Sequence, residues 1–596
     1  MSGASAQVGT PDGWVALPPI EQPAPVLALA ARSDSLWAGG FGGVVGHRSD
    51  AGWSPRRAGM HPAPATALAI AGDRVFAAGP SGIFRTRDDG QESTTTSTTP
   101  WEACDTGGES AIVTALVASP GFARDHTILA ATLGGGVLRS DSDGERWRPA
   151  TFGLQTLDAT ALAWVEGETV LAGTADGIYR SPNAGRAWRG CPGTEDQPIA
   201  ALAVFADGAA LAATEAGELL STAHPTESWS LLADAALPTD LAPTAMLASA
   251  SGVVWLATLS HGLMRSIDRG LSWTHALPDA VLALTAVDES VFVGTASGVV
   301  VSVDDGVSWN SFPSSPLHDL TRLLLTEDGP IVFGLHSPPM RFHDGAWRRL
   351  PTPLPSAAMA LAPDGTLVAA GPAGITWSDD GGQTWQEATG TAATVAHVTF
   401  RAAGKDGQGW AASADGASLL RSIDAGRSWQ PLAAPFGRRP LIALQATARD
   451  VLAVTYDTHR RRAHLWRSPD DGQRWGEVAD VATTSAQAAV CAAHPAVALG
   501  TTLFVPEAGG RWSRRPLPAA PVRRLAGDGD RIAALTPSGL FWSTDSGEHW
   551  RREDVGLPTA EVEDLALAGG TLWVLLSEGR VVLAPVKGLV PDAARA

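Results

Sequence analysis

The chain has 596 residues, of which 44% are hydrophobic and 18% charged, and its formal net charge is −19. This length exceeds that of one ordinary domain and predicts two large domains or an array of repeats, while the apolar content excludes a disordered chain. An acidic chain is poorly suited to binding nucleic acid or anionic membranes, so neither partner is expected.

The N-terminal segment MSGASAQVGTPDGW lacks the basic start and apolar core of a secretory signal. No apolar run approaches the roughly 18 residues of a membrane span, which predicts no membrane insertion. We therefore expect a cytoplasmic protein, provided that no leader is missing. Cys104, Cys191 and Cys491 are too scattered for a disulfide framework, a zinc site or a dithiol redox site.

A pattern Ser-x-Asp-x-Gly-x-x-Trp recurs along the whole chain. In the first half, degenerate or altered copies end at Trp53, Trp101, Trp147, Trp188 and Trp229. The copy before Trp101 is interrupted by the insert QESTTTSTTP at 91–100, which we interpret as a flexible excursion rather than a binding element. The first complete copies are Ser266-Asp268-Gly270-Trp273 and Ser302-Asp304-Gly306-Trp309.

The second half continues the pattern after a degenerate copy at Trp347, and an altered copy with Glu507 ends at Trp512. Its complete copies are Ser378-Asp380-Gly382-Trp385, Ser422-Asp424-Gly426-Trp429, Ser468-Asp470-Gly472-Trp475 and Ser543-Asp545-Gly547-Trp550. The glycine suits a turn with positive φ, the Asp and Ser side chains can bond turn amides, and the tryptophan can cover the turn. These residues are therefore predicted to be structural.

The spacing of the motif predicts the fold. Successive motif tryptophans are 36 to 48 residues apart, close to the period of a four-stranded propeller blade. Three apolar runs separated by Gly, Ser and Asp turns precede each motif and predict three strands, and the tryptophan begins a fourth, outer strand.

The motif resembles that of the Asp-box (BNR) β-propeller superfamily, which includes sialidases, family 74 xyloglucanases, sortilin-type receptors and photosystem II assembly factors. Residues 118–147, ASPGFARDHTILAATLGGGVLRSDSDGERW, are similar to repeats of the xyloglucanase and sortilin-like branch. The resemblance covers almost the entire chain. It implies an all-β fold and does not specify an activity, because one fold serves many functions.

Thirteen tryptophan-ended repeats are followed by the runs EVEDLALA, TLWVLLS and GRVVLAPV, which lack an outer strand. The N-terminal residues 13–20 read like that missing strand and are expected to complete the last blade, removing a free sheet edge. About fourteen blades are too many for one ring, so we predict two tandem seven-bladed propellers. The segment 312–316, FPSSP, places the first at 22–315 and the second at 316–590.

Catalytic patterns are weak. A sialidase would need an Arg-Ile-Pro motif and a tyrosine nucleophile, but the motif is absent and the chain has only two tyrosines, Tyr179 and Tyr456. A xyloglucanase-like hydrolase would need two facing carboxylates. The loop candidates, none singled out as a pair, are Asp125, Asp176, Asp240, Asp406 and Asp415. Trp410, in GKDGQGW, is the best candidate for an exposed tryptophan.

One segment departs from the repeat: a lengthened basic hairpin at 456–464 in an otherwise acidic chain. Its candidate interaction residues are His459, Arg460, Arg461, Arg462 and His464. The hairpin is either a solvated tip or a contact for an acidic partner, because closely packed like charges destabilise a hairpin unless they are solvated or matched.

We therefore predict a non-catalytic recognition scaffold that binds protein partners through its propeller faces or a cleft between the rings. No catalytic residue, metal ligand or cofactor is assigned. The alternative is a xyloglucanase-like glycoside hydrolase or glycan-binding protein, for which a polysaccharide would be the ligand.

Overall fold

The computed structural model describes residues 14–18, 20, 24–33, 35–48, 52–55, 64–87, 101–108, 112–232, 237–238, 240–249, 251–287, 289–312, 319–352, 355–391, 394–401, 407–437, 439–483, 488–491, 495–507, 511–519, 521–528, 530–536, 538–552, 562–576 and 579–585. These residues form fourteen four-stranded antiparallel sheets. The prediction of an all-β protein with two seven-bladed propellers is confirmed. The insert at 91–100 and Asp406 lie outside the described residues.

The chain divides into two compact units, and each is one ring of seven blades. The first ring is Glu21–His318, and the second is Met1–Ile20 with Asp319–Ala596. Within blades 1 to 13 the strands follow the chain from the inner strand to the outer one, whereas the outer strand of blade 14 comes from the N-terminus.

The first ring contains blades 1 to 7. Their strands are, for blade 1, Val26–Arg32, Ser35–Gly40, Gly43–Arg48 and Gly52–Pro55; for blade 2, Ala67–Ala71, Arg74–Gly79, Gly82–Arg87 and Glu102–Ala103; for blade 3, Ile112–Ala118, Ile128–Leu133, Gly136–Ser140 and Arg148–Pro149; for blade 4, Ala159–Trp164, Val170–Thr174, Gly177–Ser181 and Arg189–Gly190; for blade 5, Ile199–Val204, Ala210–Thr214, Leu219–Thr222 and Ser230–Leu231; for blade 6, Pro243–Ala248, Val254–Thr258, Leu263–Ser266 and Thr274–Leu277; and for blade 7, Val281–Val287, Ser290–Thr295, Gly298–Ser302 and Asn310–Ser311. A four-residue helix, Phe122–Asp125, lies within blade 3.

The second ring contains blades 8 to 14. Their strands are, for blade 8, Arg322–Thr326, Gly329–Phe333, Met340–His343 and Ala346–Arg349; for blade 9, Ala358–Leu361, Leu367–Gly371, Gly374–Ser378 and Gln386–Glu387; for blade 10, His397–Phe400, Gly409–Ala412, Leu419–Ser422 and Gln430–Leu432; for blade 11, Leu441–Ala446, Val451–Asp457, Arg462–Ser468 and Gly476–Ala482; for blade 12, Ala488–Cys491, Ala496–Leu499, Thr502–Pro506 and Trp512–Pro516; for blade 13, Arg524–Asp528, Arg531–Thr536, Gly539–Ser543 and Arg551–Arg552; and for blade 14, Val562–Ala568, Thr571–Leu576, Val581–Pro585 and the N-terminal strand Val15–Ala16.

The N-terminal strand completes blade 14, as the sequence predicts. Val15 lies opposite Leu583 in an antiparallel pair, and the backbone N–H of Leu17 donates to the carbonyl of Val581 over 2.9 Å. The indole N–H of Trp347, in blade 8, donates to the carbonyl of Pro18 over 2.8 Å. The N-terminal segment therefore covers the edge of Val581–Pro585 in the last blade of the second ring and contacts the first blade of that ring.

The core lies between neighbouring blades, because the second strand of each blade is apolar on both faces. Val170–Thr174 and Leu367–Gly371 are buried throughout. Between blades 3 and 4, Leu129 and Val137 pack with Tyr179 and Trp188 in one cluster. Burial of such apolar side chains is the main driving force for closing the rings.

The motif turn between the third and outer strands is held by a repeated set of hydrogen bonds. In blade 6, Gly270 N–H donates to Ser266 Oγ over 2.8 Å, and that hydroxyl donates to Asp268 Oδ1 over 2.8 Å. Asp268 also accepts from the N–H of Ser272 over 2.8 Å, and the indole of Trp273 donates to the carbonyl of Gly270 over 2.9 Å. These bonds satisfy turn groups that would otherwise be unpaired, which favours a structural role for the motif residues.

Candidate functional site

The second ring has one face on which its functional candidates concentrate. Inner strands begin on this face and, because neighbouring strands are antiparallel, second strands end there: Leu441 pairs with Thr455, and Arg322 pairs with Phe333. We call it the upper face of the second ring. Turns between second and third strands lie on it, whereas the motif turns lie at the opposite end of the ring.

Blade 11 carries the hairpin that the sequence singles out, and it is longer than its neighbours. Asp457 pairs with Arg462 at the hairpin end. The outer strand Gly476–Ala482 has seven residues, against three in the outer strand of blade 10 and five in that of blade 12. Beyond that strand, Thr483 N–H donates to the carbonyl of Arg461 over 3.0 Å. The longer outer strand thus supports the hairpin up to its tip.

The basic residues of the hairpin fall into two groups. Arg462 Nε lies 2.6 Å from Asp480 Oδ1, and this hydrogen bond holds the pKa of Asp480 below its usual range. The buried His464 is bonded through Nδ1 to Glu477 Oε1 at 2.8 Å. Arg462 and His464 are therefore engaged within the blade.

The tip residues His459, Arg460 and Arg461 remain exposed. The Arg460 side chain is 75% exposed, and its Nε lies 4.0 Å from Asp457 Oδ2. A surface ion pair at this distance is weak. Arg461 occupies the turn with φ of 52°. Two guanidinium groups and one imidazole are thus presented to solvent on a supported hairpin.

The carboxylates beside His464 could contribute to a metal site. His464, Glu477 and Asp480 each place one ligand atom within 4.8 Å of the others, as do Asp545, Glu548 and His549 in the blade 13 motif. In the first group, however, Asp480 Oδ1 already pairs with Arg462. A cation would have to displace that guanidinium, so this arrangement is better suited to holding the hairpin.

A crevice of about 330 Å³ adjoins the outer strand of blade 11, where it faces blade 12. Its lining residues are Arg467, Glu477, Val478, Phe504, Trp512 and Arg514. The Arg514 guanidinium lies over the ring of Phe504, 5.6 Å from its centroid. The crevice therefore combines aromatic surface with cationic and anionic groups.

A second cluster of charges lies at the start of the inner strands. Arg524 Nε is 3.0 Å from Asp564 Oδ1, and Asp564 Oδ2 accepts the backbone N–H of Leu323 over 2.9 Å. Beside Leu323, the charge of Arg524, followed by burial, lowers the pKa of Arg322 to about 10, although the nearby Asp564 opposes this. Blades 13, 14 and 8 thus meet through charged side chains around the ring axis.

His397 of blade 10 lies at the same end of the ring. Its Nε2 is 2.9 Å from the carbonyl of Leu441, so Nε2 carries the proton and donates. Burial lowers the pKa of His397 to about 4, which keeps the imidazole neutral at pH 7. Sequence reasoning missed this cluster; its only signal is a charged or titratable residue near the start of an otherwise apolar strand.

The loop carboxylates of the hydrolase interpretation are bound within their own surroundings. Asp125 accepts from Ser119, and Asp176 accepts from the hydroxyl of Tyr179. Asp240 lies 2.7 Å from His261 Nε2, and Asp415 accepts from Ser413 over 2.5 Å. These contacts give each carboxylate a local partner and identify no catalytic pair.

The prediction that Trp410 is exposed is wrong. Trp410 lies in the second strand of blade 10 and is 0% exposed. It packs with Phe436 and Leu441, and its indole N–H donates to the carbonyl of Asp471 over 3.1 Å. Its place in the repeat makes it a core residue, despite the polar residues that precede it.

Comparison with solved structures supports the fold. The chain is similar to the GH74 xyloglucanase from Xanthomonas campestris, with a TM-score of 0.60, 16% identity, and coverage of 96% of this chain and 99% of that chain. PorZ, a surface component of the type-IX secretion system of Porphyromonas gingivalis, matches with a TM-score of 0.47, 12% identity and coverage of 96% and 87%. The extracellular domain of a one-component system from B. thetaiotaomicron matches with a TM-score of 0.38, 12% identity and coverage of 96% and 82%.

No protein-family model matches the chain. No curated protein matches it either. The likeness to the GH74 xyloglucanase, at 16% identity, supports the tandem β-propeller fold and leaves the activity open. Membership of the Asp-box superfamily stays a prediction.

The expected cytoplasmic location is contradicted by these matches, which include a bacterial surface component and an extracellular domain. That expectation rested on the N-terminal segment alone, and a segment without a signal-like pattern does not determine where the protein acts. Among the described residues, no helix has the length and apolar character needed to cross a membrane.

Proposed function

We propose that this protein is a non-catalytic recognition scaffold, and that it binds a protein partner with an acidic surface through the blade 11 hairpin on the upper face of its second ring. The observation that supports this proposal most directly is that the hairpin tip is exposed to solvent while the hairpin itself is held by the outer strand of its blade. Arg462 and His464 fix the hairpin to the outer strand through Asp480 and Glu477, while Arg460 and Arg461 stay in solvent.

Preorganisation and charge both favour binding at this place. A tip that is already ordered loses less conformational entropy on binding than a free loop. In a chain with a net charge of −19, the adjacent exposed arginines of the tip form a local basic group that can orient an acidic partner. Loops on a rigid β scaffold are a common arrangement for recognition.

The test is a charge reversal at the tip, Arg460→Glu with Arg461→Glu. Wild type and variant are used as baits on the envelope and secreted fractions of the source organism, and captured proteins are quantified by mass spectrometry. A protein captured only by the wild type is then purified, and its affinity is measured directly. We expect the variant to bind at least about tenfold more weakly, with a difference that shrinks at high salt.

The matched control is Arg348→Glu with Arg349→Glu, which makes the same charge change in the exposed outer strand of blade 8. It should bind the partner like the wild type. The proposal is wrong if no captured protein depends on the tip arginines, or if the purified partner binds both variants equally.

A second candidate, glycan binding, is favoured by the crevice between blades 11 and 12. The half-buried Trp512 offers aromatic surface for a sugar ring, and Glu477 and Arg514 can bond hydroxyl groups. Affinity electrophoresis in xyloglucan and other β-glucans tests this, with Trp512→Ala as the variant. If the polysaccharide slows migration of the wild type but not of Trp512→Ala, glycan binding at the crevice is favoured. If the wild type releases reducing sugar from the polysaccharide, the proposal of a non-catalytic protein is wrong.

A further inference from the structure

The outer strand of blade 11 has a free edge. It is the last strand of its sheet, and within the part of the chain that the structure describes no other strand pairs with its outer side. Its seven residues, Gly476–Ala482, make it the longest outer strand among the described blades, and the next longest, Trp512–Pro516, has five. A long unpaired edge is a template for a further strand, which natural proteins usually avoid by keeping their edge strands short.

The ladder determines which backbone groups lie on this free edge. The N–H of Thr483 donates to the carbonyl of Arg461 over 3.0 Å, and the strands stay in register from there to Asp480, opposite His464. Because bonded and non-bonded pairs alternate along an antiparallel ladder, the N–H and C=O groups of Ala482 and Asp480 point away from the blade. Both residues are exposed. The carbonyl of Asp480 also accepts an arginine N–H over 3.3 Å, so the two N–H groups and the carbonyl of Ala482 are the groups available to a new strand.

The lower end of the same edge leads into the crevice between blades 11 and 12. The ladder skips Val478, which forms a bulge below Ala479 and interrupts regular pairing. Val478 lines the crevice of about 330 Å³ together with Trp512 and Arg514. A segment that follows the edge from Ala482 past Ala479 therefore reaches the crevice and can place a side chain in it.

Exposed positive charge lies at both ends of this edge. Arg460 and Arg461 of the hairpin tip are at the upper end. At the lower end, Arg514 is exposed and makes no ion pair with any described residue. The carboxylates of the strand itself are already matched within the blade. The edge is thus suited to an acidic segment, whereas a second copy of this chain, with its net charge of −19, would be repelled.

We propose that the acidic partner contributes an extended segment, which adds to blade 11 as a fifth strand beside Ala479–Ala482 and inserts an apolar side chain into the crevice. This inference rests on the proposed protein partner, and it assigns the crevice to a peptide side chain instead of a sugar. In such strand addition, main-chain hydrogen bonds supply affinity and pockets for alternate side chains supply specificity. The arginines at the two ends of the edge attract acidic residues of the segment.

The test begins with phage display of random peptides on the full chain. Peptides of about 12 residues are long enough to span the edge at about 3.3 Å per residue. Recovered peptides are synthesised, and their affinities for the wild type and for Ala482→Pro are measured by fluorescence anisotropy. Proline at this position removes an N–H that points away from the blade, so the ladder keeps its bonds. We expect peptides with alternating acidic and apolar residues to bind Ala482→Pro at least about tenfold more weakly than the wild type.

The matched control is Arg349→Pro, at the end of the outer strand of blade 8. The N–H of Leu350 donates to the carbonyl of Pro339 over 2.9 Å, so the N–H of Arg349 points outward as that of Ala482 does. This variant should bind the peptides as the wild type does. Melting temperatures equal to that of the wild type show that both proline variants fold.

The tip variant, Arg460→Glu with Arg461→Glu, separates this inference from the proposed function. Binding that is lost in the tip variant but kept in Ala482→Pro supports the tip as a contact and makes strand addition wrong. Binding that is lost in Ala482→Pro but kept in the tip variant supports strand addition and removes the tip arginines from the contact. The inference is overturned if no peptide binds the wild type, if every peptide binds Ala482→Pro equally well, or if the wild type forms a dimer that Ala482→Pro abolishes.

Discussion

At the scale of single residues, the glycine of the motif turn shows why this position accepts no side chain. Gly306 has φ of 81°, and a Cβ there would lie 2.1 Å from Cη2 of Trp255, which is fully buried. We expect Gly306→Ala to destabilise the first ring by about 2–5 kcal/mol, from left-handed backbone strain together with overpacking. Thermal unfolding followed by circular dichroism measures this.

Gly134 provides the comparison, because its φ of 83° is nearly the same but a Cβ there would meet nothing within 4 Å. Gly134→Ala should therefore cost less, since only backbone strain is added. Equal losses at the two positions would show that contact with Trp255 is not the cause.

The motif aspartates should make the rings sensitive to acid. Hydrogen bonds from the hydroxyl and N–H of Ser308, and from Ser302, lower the pKa of Asp304 from its ordinary 3.8 to about 2. Because the folded pKa lies below the unfolded one, the stabilisation is complete above about pH 4 and is lost as the pH falls to about 2. Asp304→Asn should lower the melting temperature at pH 6 and have little effect at pH 2.

The control is Asp305→Asn, since the carboxylate of Asp305 makes no hydrogen bond among the described residues. Its melting temperature should follow that of the wild type across the same pH range. A constant difference between Asp304→Asn and wild type from pH 6 to pH 2 would contradict the linkage.

Single residues also show where sequence reasoning fails. In blade 6 the motif residues form a turn of the kind that their spacing predicts, with Gly270 at the turn and Trp273 bonded to it. Trp410 is misplaced because the glycines and charges before it look like a loop, whereas its side chain lies in a buried second strand. Register within the repeat is the stronger signal, since it fixes which face of a strand is buried.

At the scale of elements, the long outer strand of blade 11 should be more protected than other outer strands. Its ladder runs from Arg467 opposite Gly476 to Arg462 opposite Ala482, and the hydroxyl of Tyr456 donates to the carbonyl of Thr483 just beyond it. We expect hydrogen exchange in 476–482 to be at least about tenfold slower than in the two-residue strand Asn310–Ser311 of blade 7, because short strands fray more readily. Exchange at equal rates would remove the argument for a preorganised tip.

The hairpin could be found from the sequence, but its partners could not. The basic segment stands out because it lengthens one repeat, whereas Asp480 and Glu477 are ordinary acidic residues until the outer strand is paired. The charged cluster around Asp564 is harder still to predict from the sequence, because the bonded residues Leu323 and Asp564 are 241 residues apart in the chain. Contacts of this kind depend on ring closure, which repeat patterns predict only in outline.

At the scale of the whole molecule, the two rings differ in how they close. In the first ring, Val26 and Leu36 of blade 1 pack with Ala283 and Val299 of blade 7, and all strands come from one continuous segment. In the second, Ile20 packs with Leu320 of blade 8 and Leu575 of blade 14, so closure needs a distant segment. The period of the motif predicts fourteen blades, and the unfinished last repeat predicts this use of the N-terminus.

This difference predicts what each ring does in isolation. Residues 21–318 should fold alone, whereas 319–596 should be less stable than the same residues preceded by 1–20 through a short Gly-Ser linker. Loss of the outer strand of blade 14, of buried Ile20 and of the bond from Trp347 to Pro18 should lower the melting temperature by on the order of 10 °C. The linker is feasible because Ile20 and Leu320 belong to one cluster. Circular dichroism melts of the three fragments test this, and equal stability with and without 1–20 would mean that the N-terminal strand is dispensable for closing the second ring.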